Sequence, residues 1–192
     1  AEAPYQTDDL VEMMFGKQIT LPSPRPEVQD QVVLEIEELV IEKYPLKIGP
    51  VNFNLRAGEV VGLAGMEGSG QNMLLRACVG LLRPVSGCVI VNGQDMTGKR
   101  YLDYLDHGVS YLPASRLEEG LVPGLTLTEH FTIKEQENAL FIDKHYYRNK
   151  TEEKIDEYHI IGRPDSLVES LSGGNQQRAA LSLMEKDLEA VL

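Results

Sequence analysis

Leu171-Ser-Gly-Gly-Asn-Gln-Gln-Arg178 is the stretch whose reading decides the fold of this chain. A serine and two glycines precede a polar, helix-compatible run from Asn175 to Glu185. Serine is a strong helix N-cap, so Ser172 is expected to open the helix. Gly173 and Gly174 place no side chain between the backbone and a ligand. The first turn of a helix carries unpaired N–H groups and partial positive charge, a setting that attracts anions and phosphate above all. A bare Ser-Gly-Gly is more often an ordinary capped helix after a loop; the whole string carries more than that.

That string closely resembles the signature motif of ABC-type ATPases, in the form found in importers of simple sugars and nucleosides. The resemblance implies that Ser172, Gly173, Gly174 and Asn175 contact the γ-phosphate of an ATP held by a partner domain. It also demands a phosphate loop roughly a hundred residues upstream. Gly58-Glu-Val-Val-Gly-Leu-Ala-Gly65 ends an apolar run, Val60 to Ala64, of the kind a buried parallel strand shows. Gly65-Met-Glu-Gly-Ser-Gly-Gln-Asn72 follows, and Met73 to Val79 reads as a helix. Strand, glycine-rich turn and helix is the phosphate-cradling arrangement, with G-x-x-x-x-G-K-[ST] as its pattern. Gly65 and Gly70 stand at that spacing, with Gly68 and Ser69 between them. Gln71 replaces the lysine and keeps hydrogen bonding without the charge. Asn72 replaces the hydroxyl residue that would coordinate Mg²⁺, a hard ion that prefers oxygen. The second nucleotide-binding domain of tandem sugar and nucleoside importer ATPases often has such a degenerate loop.

With 192 residues, of which 42% are hydrophobic, the chain is long and apolar enough for one domain with a sizeable core. Its 18 basic and 30 acidic residues give a net charge of −12, which disfavours nucleic acid or an anionic membrane surface as the main partner. No apolar run approaches the roughly 18 residues of a membrane span, and Ala1-Glu-Ala-Pro-Tyr5 has neither the basic nor the apolar part of a signal peptide. Cys78 and Cys88 read as two buried, reduced thiols, which fits a cytosolic protein. His107, His130, His145 and His159 show no metal-ligand spacing and are read as surface or packing residues.

Asp8 to Ile19 has the pattern of a short amphipathic helix with Gly16 as its C-cap, and Leu21-Pro-Ser-Pro-Arg-Pro26 reads as an extended linker. A disordered tail is the plain alternative. By resemblance, residues 1–31 are the end of a preceding nucleotide-binding domain plus linker, and residues 32–192 a partial ABC-type domain with a helical subdomain at about 115–170. Val32 to Ile41 and Val51 to Leu55 alternate as strands. Tyr44 lies between them; family resemblance makes it a candidate to stack on the adenine ring, against an ordinary loop tyrosine. Ser86 to Gly93 reads as a strand closed by an Asn-Gly turn, Lys99 to His107 as a short helix, and Val109 to Pro113 as a strand. Phe131 to Arg163 is polar and helical, and carboxylates such as Glu135, Glu137, Glu152 and Glu153 are read as a solvated face.

Tyr111-Leu-Pro-Ala-Ser-Arg116 and the residues to His130 resemble the Q-loop region of the same importer branch. Ala114 occupies the position of the metal-sensing glutamine and can neither ligate metal nor orient water. Glu189-Ala-Val-Leu192 resembles the opening of the strand that leads to the catalytic glutamate, so no catalytic base is expected within these residues. Phosphoryl transfer rests on positioning and charge stabilisation, and a chain with these departures is expected to turn over little ATP by itself.

The expected fold is α/β, a P-loop NTPase of the ABC nucleotide-binding type, with an antiparallel β-subdomain and a helical subdomain, stopping before the Walker B strand is complete. The expected function is the ATP-binding component of an importer for a simple sugar or nucleoside. Its cofactors would be ATP and Mg²⁺, the metal weak or absent at this half-site. Its partners would be the first nucleotide-binding domain of the same polypeptide or a dimer mate, and transmembrane permease subunits. Its place would be the cytoplasmic face of the cell membrane. Two other readings stay open: a non-catalytic module that completes the partner's ATP site, and a soluble ABC ATPase acting on DNA or ribosomes. The latter would show a basic face or a long coiled-coil insertion.

Overall fold

The computed structural model describes residues 27–135, 142–184, 188 and 190–192. The helix expected at Asp8–Ile19, the linker Leu21–Pro26, Glu137, and Glu185–Asp187 with Glu189 lie outside the described residues.

Two long strands, β1 (Val32–Lys43) and β2 (Leu46–Arg56), form an antiparallel hairpin. β3 (Ser86–Val91) adds to the other edge of β1, and the short β4 (Gln94–Asp95) closes the order β2-β1-β3-β4. Strict alternation would put Ile36 and Leu39 on opposite faces, yet Leu34, Ile36, Leu39 and Ile41 are all buried. A bulge resolves this. The register shifts between Ile36 and Leu39, with Glu38 at a φ of 47°, and the extra residue returns the apolar phase to the core. Asn52 clamps the bulge: its Oδ1 accepts the Glu38 N–H at 2.7 Å and its Nδ2 donates to the Glu38 carboxylate at 2.6 Å. Asn92 and Gly93 both take positive φ, 47° and 79°, as the tight turn between β3 and β4 requires.

Helix α1 (Gln71–Cys78) covers this sheet, contributing Leu74, Ala77 and Cys78 to the same core as Val89, Val91, Met96, Tyr104 and Val109. Tyr104 lies on α2 (Tyr101–Leu105), and its hydroxyl donates to the Met96 carbonyl at 2.8 Å. A buried phenol of this kind must find an acceptor. β5 (Val109–Ser110) pairs in parallel with β6 (Ala190–Val191).

A second core gathers Leu121, Leu127, Ile160, Val168, Leu171, Ala179 and Ala180. It is built by α3 (Leu127–Glu135), α4 (Lys144–Glu157) and α5 (Gly173–Ser182), with one wide π-type turn at Arg116–Gly120 leading in. Asp143 caps α4, accepting from the N–H groups of His145 and Tyr146 at 3.0 Å each. Glu152 and Glu153 are exposed on α4, as a solvated face requires.

One expected element does not form. Val60 to Ala64 is not a strand, and Val60 is 91% exposed. A central parallel strand is held by ladders to its neighbours, and the two residues of β6 pair with β5. The apolar side chains of the segment instead line a hollow of about 330 Å³ with Leu75, Leu188 and Val191.

Candidate phosphate loop and signature helix

The loop from Gly65 to Asn72 runs into the N-terminus of α1. Gly70 is the residue before the helix and has a φ of 111°, a backbone few side chains tolerate. It also sits where a Cβ would collide with Ile48, with the Leu46 side chain beside it. The loop therefore packs on the start of β2, immediately after the hairpin turn that carries Tyr44. The Tyr44 ring is 97% exposed, on the hairpin next to the loop. Gly68 has a φ of 80° and open space around it, and Ser69 is exposed.

The two substituted positions are both engaged by the protein itself. Gln71 curls back across the loop: its Oε1 accepts from the Ser69 hydroxyl at 2.9 Å and its Nε2 donates to the Met66 carbonyl at 3.4 Å. The carboxamide lies so close to Gly65 that any Cβ there would strike it. The Asn72 side chain lies beside the Tyr111 hydroxyl. Burial and the nearby Glu119 carboxylate raise the Tyr111 phenol above its ordinary pKa. One turn along α1, Arg76 holds both Glu119 oxygens, at 2.9 and 3.0 Å. So α1 is tied to the segment after β5 by Arg76–Glu119, with Asn72 beside Tyr111. The sequence offers no local sign of this tie, because the partners are far apart in the chain. Within residues 65–72 the one ionisable side chain is Glu67.

The signature segment is built differently. Ser172 occupies the N-cap position of α5 with extended backbone, φ −62° and ψ 154°, but its hydroxyl makes no cap bond to the helix backbone. Instead Ser172 Oγ accepts from Asn175 Nδ2 at 2.9 Å. Asn175 is buried, and its Oδ1 accepts the Ile161 N–H at 2.9 Å. Gln176 donates to the Val168 and Leu171 carbonyls at 3.2 and 3.0 Å, and Arg178 donates to the His159 carbonyl at 2.7 Å. Four hydrogen bonds made by Asn175, Gln176 and Arg178 thus fix the first two turns of α5 to the 159–171 segment. Ser172, Gly173 and Gly174 remain exposed, with nothing near Gly174. The inward turn of Asn175 was not legible in the motif. It follows from the Ile161 N–H, which finds its acceptor in Asn175 Oδ1.

Ala114 is exposed beside Gln177 and Ala180 at a small hollow of about 210 Å³. A larger groove of about 610 Å³ separates the two cores, with Arg76, Tyr111, Glu119, Val122, His130 and Ile133 among its walls. His130 is held in one tautomer there: Nε2 accepts the Val122 N–H at 2.9 Å, so Nδ1–H donates to the Thr126 carbonyl at 2.8 Å. Among the described residues no helix is long and apolar enough to cross a membrane.

The family model described as ABC transporter matches residues 48–186, which include both the loop and the signature segment. The chain is similar to the nucleoside import ATP-binding protein NupA of Lactococcus lactis subsp. cremoris, at 31% identity over 183 residues. It is similar to the ribose import ATP-binding protein RbsA of Corynebacterium glutamicum, at 33% over 189 residues. The matches cover 91% and 93% of this chain, yet the chain spans only 36% and 35% of the length of those relatives. The fold resembles that of MJ1267, an ATP-binding cassette of an ABC transporter, with a TM-score of 0.66 at 19% identity, covering 79% of this chain and 64% of that one. Family match and fold agree, and the chain belongs to the ABC transporter family as an ATP-binding domain.

Proposed function

We propose that this chain is the second nucleotide-binding domain of a tandem ABC importer ATPase for a simple sugar or nucleoside, and that its main task is to complete the ATP site of its partner domain. The relatives named for nucleoside and ribose import support the solute class. Residues 1–31 would then close the preceding domain and link the two. The groove between the two cores would receive a cytoplasmic segment of the permease.

The observation that carries this reading is the contrast between the two halves of the site. Ser172, Gly173 and Gly174 are exposed at the start of a ten-residue helix, and Asn175 holds Ser172 from behind. Because Ser172 Oγ already accepts from Asn175, its own hydrogen is left for an acceptor outside the protein. With the backbone N–H groups of Gly173 and Gly174 and the positive end of α5, it forms a donor set for a terminal phosphate. ATP, when bound, supplies the phosphoryl group whose charge these donors stabilise.

The other half fits a nucleotide less well. The backbone of Gly68–Gln71 has the turn geometry of a phosphate cradle, and Tyr44 stands on the neighbouring hairpin, where a base could stack. However, the loop has no cation and carries Glu67. Asn72 offers an amide oxygen in place of the hydroxyl and Ala114 offers none, so these positions suit a magnesium ion poorly.

Calorimetric titration of the chain with ATP, with and without Mg²⁺, tests this. Weak binding that barely responds to the metal is expected, and Gln71→Lys should tighten it by restoring a charged hydrogen bond of about 1.5–3 kcal/mol. Tight, strictly Mg²⁺-dependent binding by the unaltered chain would refute the assignment of roles.

A further inference from the structure

We infer that Gln71 is an intramolecular stopper of the phosphate loop: its carboxamide folds into the cradle, is held there by Ser69 and the Met66 carbonyl, and must be expelled before a phosphate can enter. The inference rests on reading residues 65–72 as a phosphate loop, and it gives Gln71 a role opposite to the obvious one. A glutamine at this position would ordinarily be counted as a weakened ligand, one that still donates to the nucleotide. Here both ends of the carboxamide are already satisfied within the loop. Oε1 takes the Ser69 hydroxyl at 2.9 Å and Nε2 donates to Met66 at 3.4 Å.

Three further observations fit a seated side chain. Gly65 gives it room, since a Cβ there would meet the Gln71 nitrogen and the Ser69 hydroxyl oxygen. Gly70 is pressed against Ile48, so the helix start cannot retreat to widen the loop without disturbing β2. Arg76, further along the same helix, holds both Glu119 oxygens, which fixes the helix from which the side chain folds back. A lysine could not make the same closure, because an ammonium group has donors but no acceptor for the Ser69 hydroxyl hydrogen. The exchange of lysine for glutamine therefore does more than remove a charge. It lets the loop satisfy itself, so that an incoming phosphate must break two hydrogen bonds before it makes any.

The sign of one substitution separates the two roles. If Gln71 is a ligand, Gln71→Ala weakens nucleotide binding. If it is a stopper, Gln71→Ala strengthens it, by roughly threefold to tenfold for the contacts no longer broken. Ser69→Ala removes one of the two anchors while leaving Gln71 in place, and it should strengthen binding by a smaller factor in the same direction. The experiment is calorimetric titration of the 192-residue chain and of its Gln71→Ala, Ser69→Ala and Gln71→Lys variants with ATP. It is paired with NMR of the Gln71 side-chain amide. In the unaltered chain that amide should show contacts to Gly65 and Met66 protons, and these should vanish as ATP is added.

Loss of a merely structural contact would loosen the loop and weaken binding in both alanine variants, so tighter binding is not a packing effect. Binding by the unaltered chain as tight as or tighter than by Gln71→Ala overturns the stopper and leaves the loop assignment intact. So does an amide with no contact to Gly65 or Met66. Failure of every variant, Gln71→Lys included, to bind ATP overturns the loop assignment, and the stopper falls with it.

Discussion

Asn175 shows how far a motif can be read at the level of single residues. The string Ser172-Gly-Gly-Asn places a phosphate-binding turn, and resemblance counts all four residues as contacts. The structure divides the labour: Ser172 and the glycines face outward, while Asn175 is buried and joins Ser172 Oγ to the Ile161 N–H. Which way a side chain turns at a helix start depends on a neighbour 14 residues away in the chain, and no local pattern encodes it. Asn175→Ala would orphan the Ile161 N–H and free Ser172 to turn. Two hydrogen bonds of about 0.5–1.5 kcal/mol each are lost, so denaturant unfolding of the variant should show a loss of about 1–3 kcal/mol, against little change for Gln177→Ala on the exposed face of the same helix. The cysteines divide as well. Burial pushes the Cys78 thiol up to about 12, whereas Cys88 is half-buried. The reactive species is the thiolate. Alkylation of the native chain at about pH 8, followed by peptide mass mapping, should therefore label Cys88 and spare Cys78; equal labelling would show that the α1–sheet core opens.

Secondary structure was most legible where the elements are locally consistent. β2 and β3 follow alternation and the Asn92-Gly93 turn, and α1 follows the glycine loop, because propensity and burial point the same way there; β1 is a strand as its composition predicts, but its bulge at Glu38 breaks the alternation. The Val60–Ala64 segment has the composition of a buried strand and still does not form one, since composition cannot supply the ladder partners a parallel strand needs. α3 carries a signal that is local and physical: Thr126-Leu-Thr-Glu129 is a capping box. Glu129 accepts from the Thr126 N–H and hydroxyl at 2.7 Å each, and the Thr126 hydroxyl accepts the Glu129 N–H at 3.2 Å. These hydrogen bonds hold the Glu129 carboxyl below its ordinary value of 4.5, and the Gly124 N–H does the same for Glu169. A folded-state pKa below the unfolded one means stability that is present above about 4.5 and is lost as pH falls through the lowered folded value. Glu129→Gln removes one such group. Its denaturation midpoint should consequently fall less than that of the unaltered chain between about pH 6 and pH 3.5. An identical fall in both proteins would show that the cap does not form in solution.

At the scale of the whole molecule, the proposed reading gives the chain one half of each of two kinds of site: a candidate phosphate loop packed on the β1–β2 hairpin, and a candidate signature turn packed on the second core. Among the described residues the loop and the signature turn share no hydrogen bond, although α1 and α5 both reach the π-type turn at Arg116–Gly120. That separation is what makes the proposed division of labour testable in the longer protein to which such a domain would belong. The signature turn has an exposed serine, two glycines and a helix N-terminus. The candidate loop has no lysine or arginine, with Gln71 and Asn72 after its last glycine, and the Gln71 side chain folds back across it. Gly173→Asp would put a carboxylate where a partner's terminal phosphate is expected, adding bulk and like charge against the donors. Removing a single preorganised donor of this type costs about a hundredfold or more in rate, and repulsion adds to that, so steady-state ATP hydrolysis should be abolished. Gln71→Ala strips a side chain that already bonds only to its own loop, and hydrolysis should change by no more than about threefold, the scale of one ordinary hydrogen bond. The comparison has a definite failing result. If Gln71→Ala is as damaging as Gly173→Asp when phosphate release is measured side by side, the loop of this domain is a working ATP site and the roles assigned to the two halves must be exchanged.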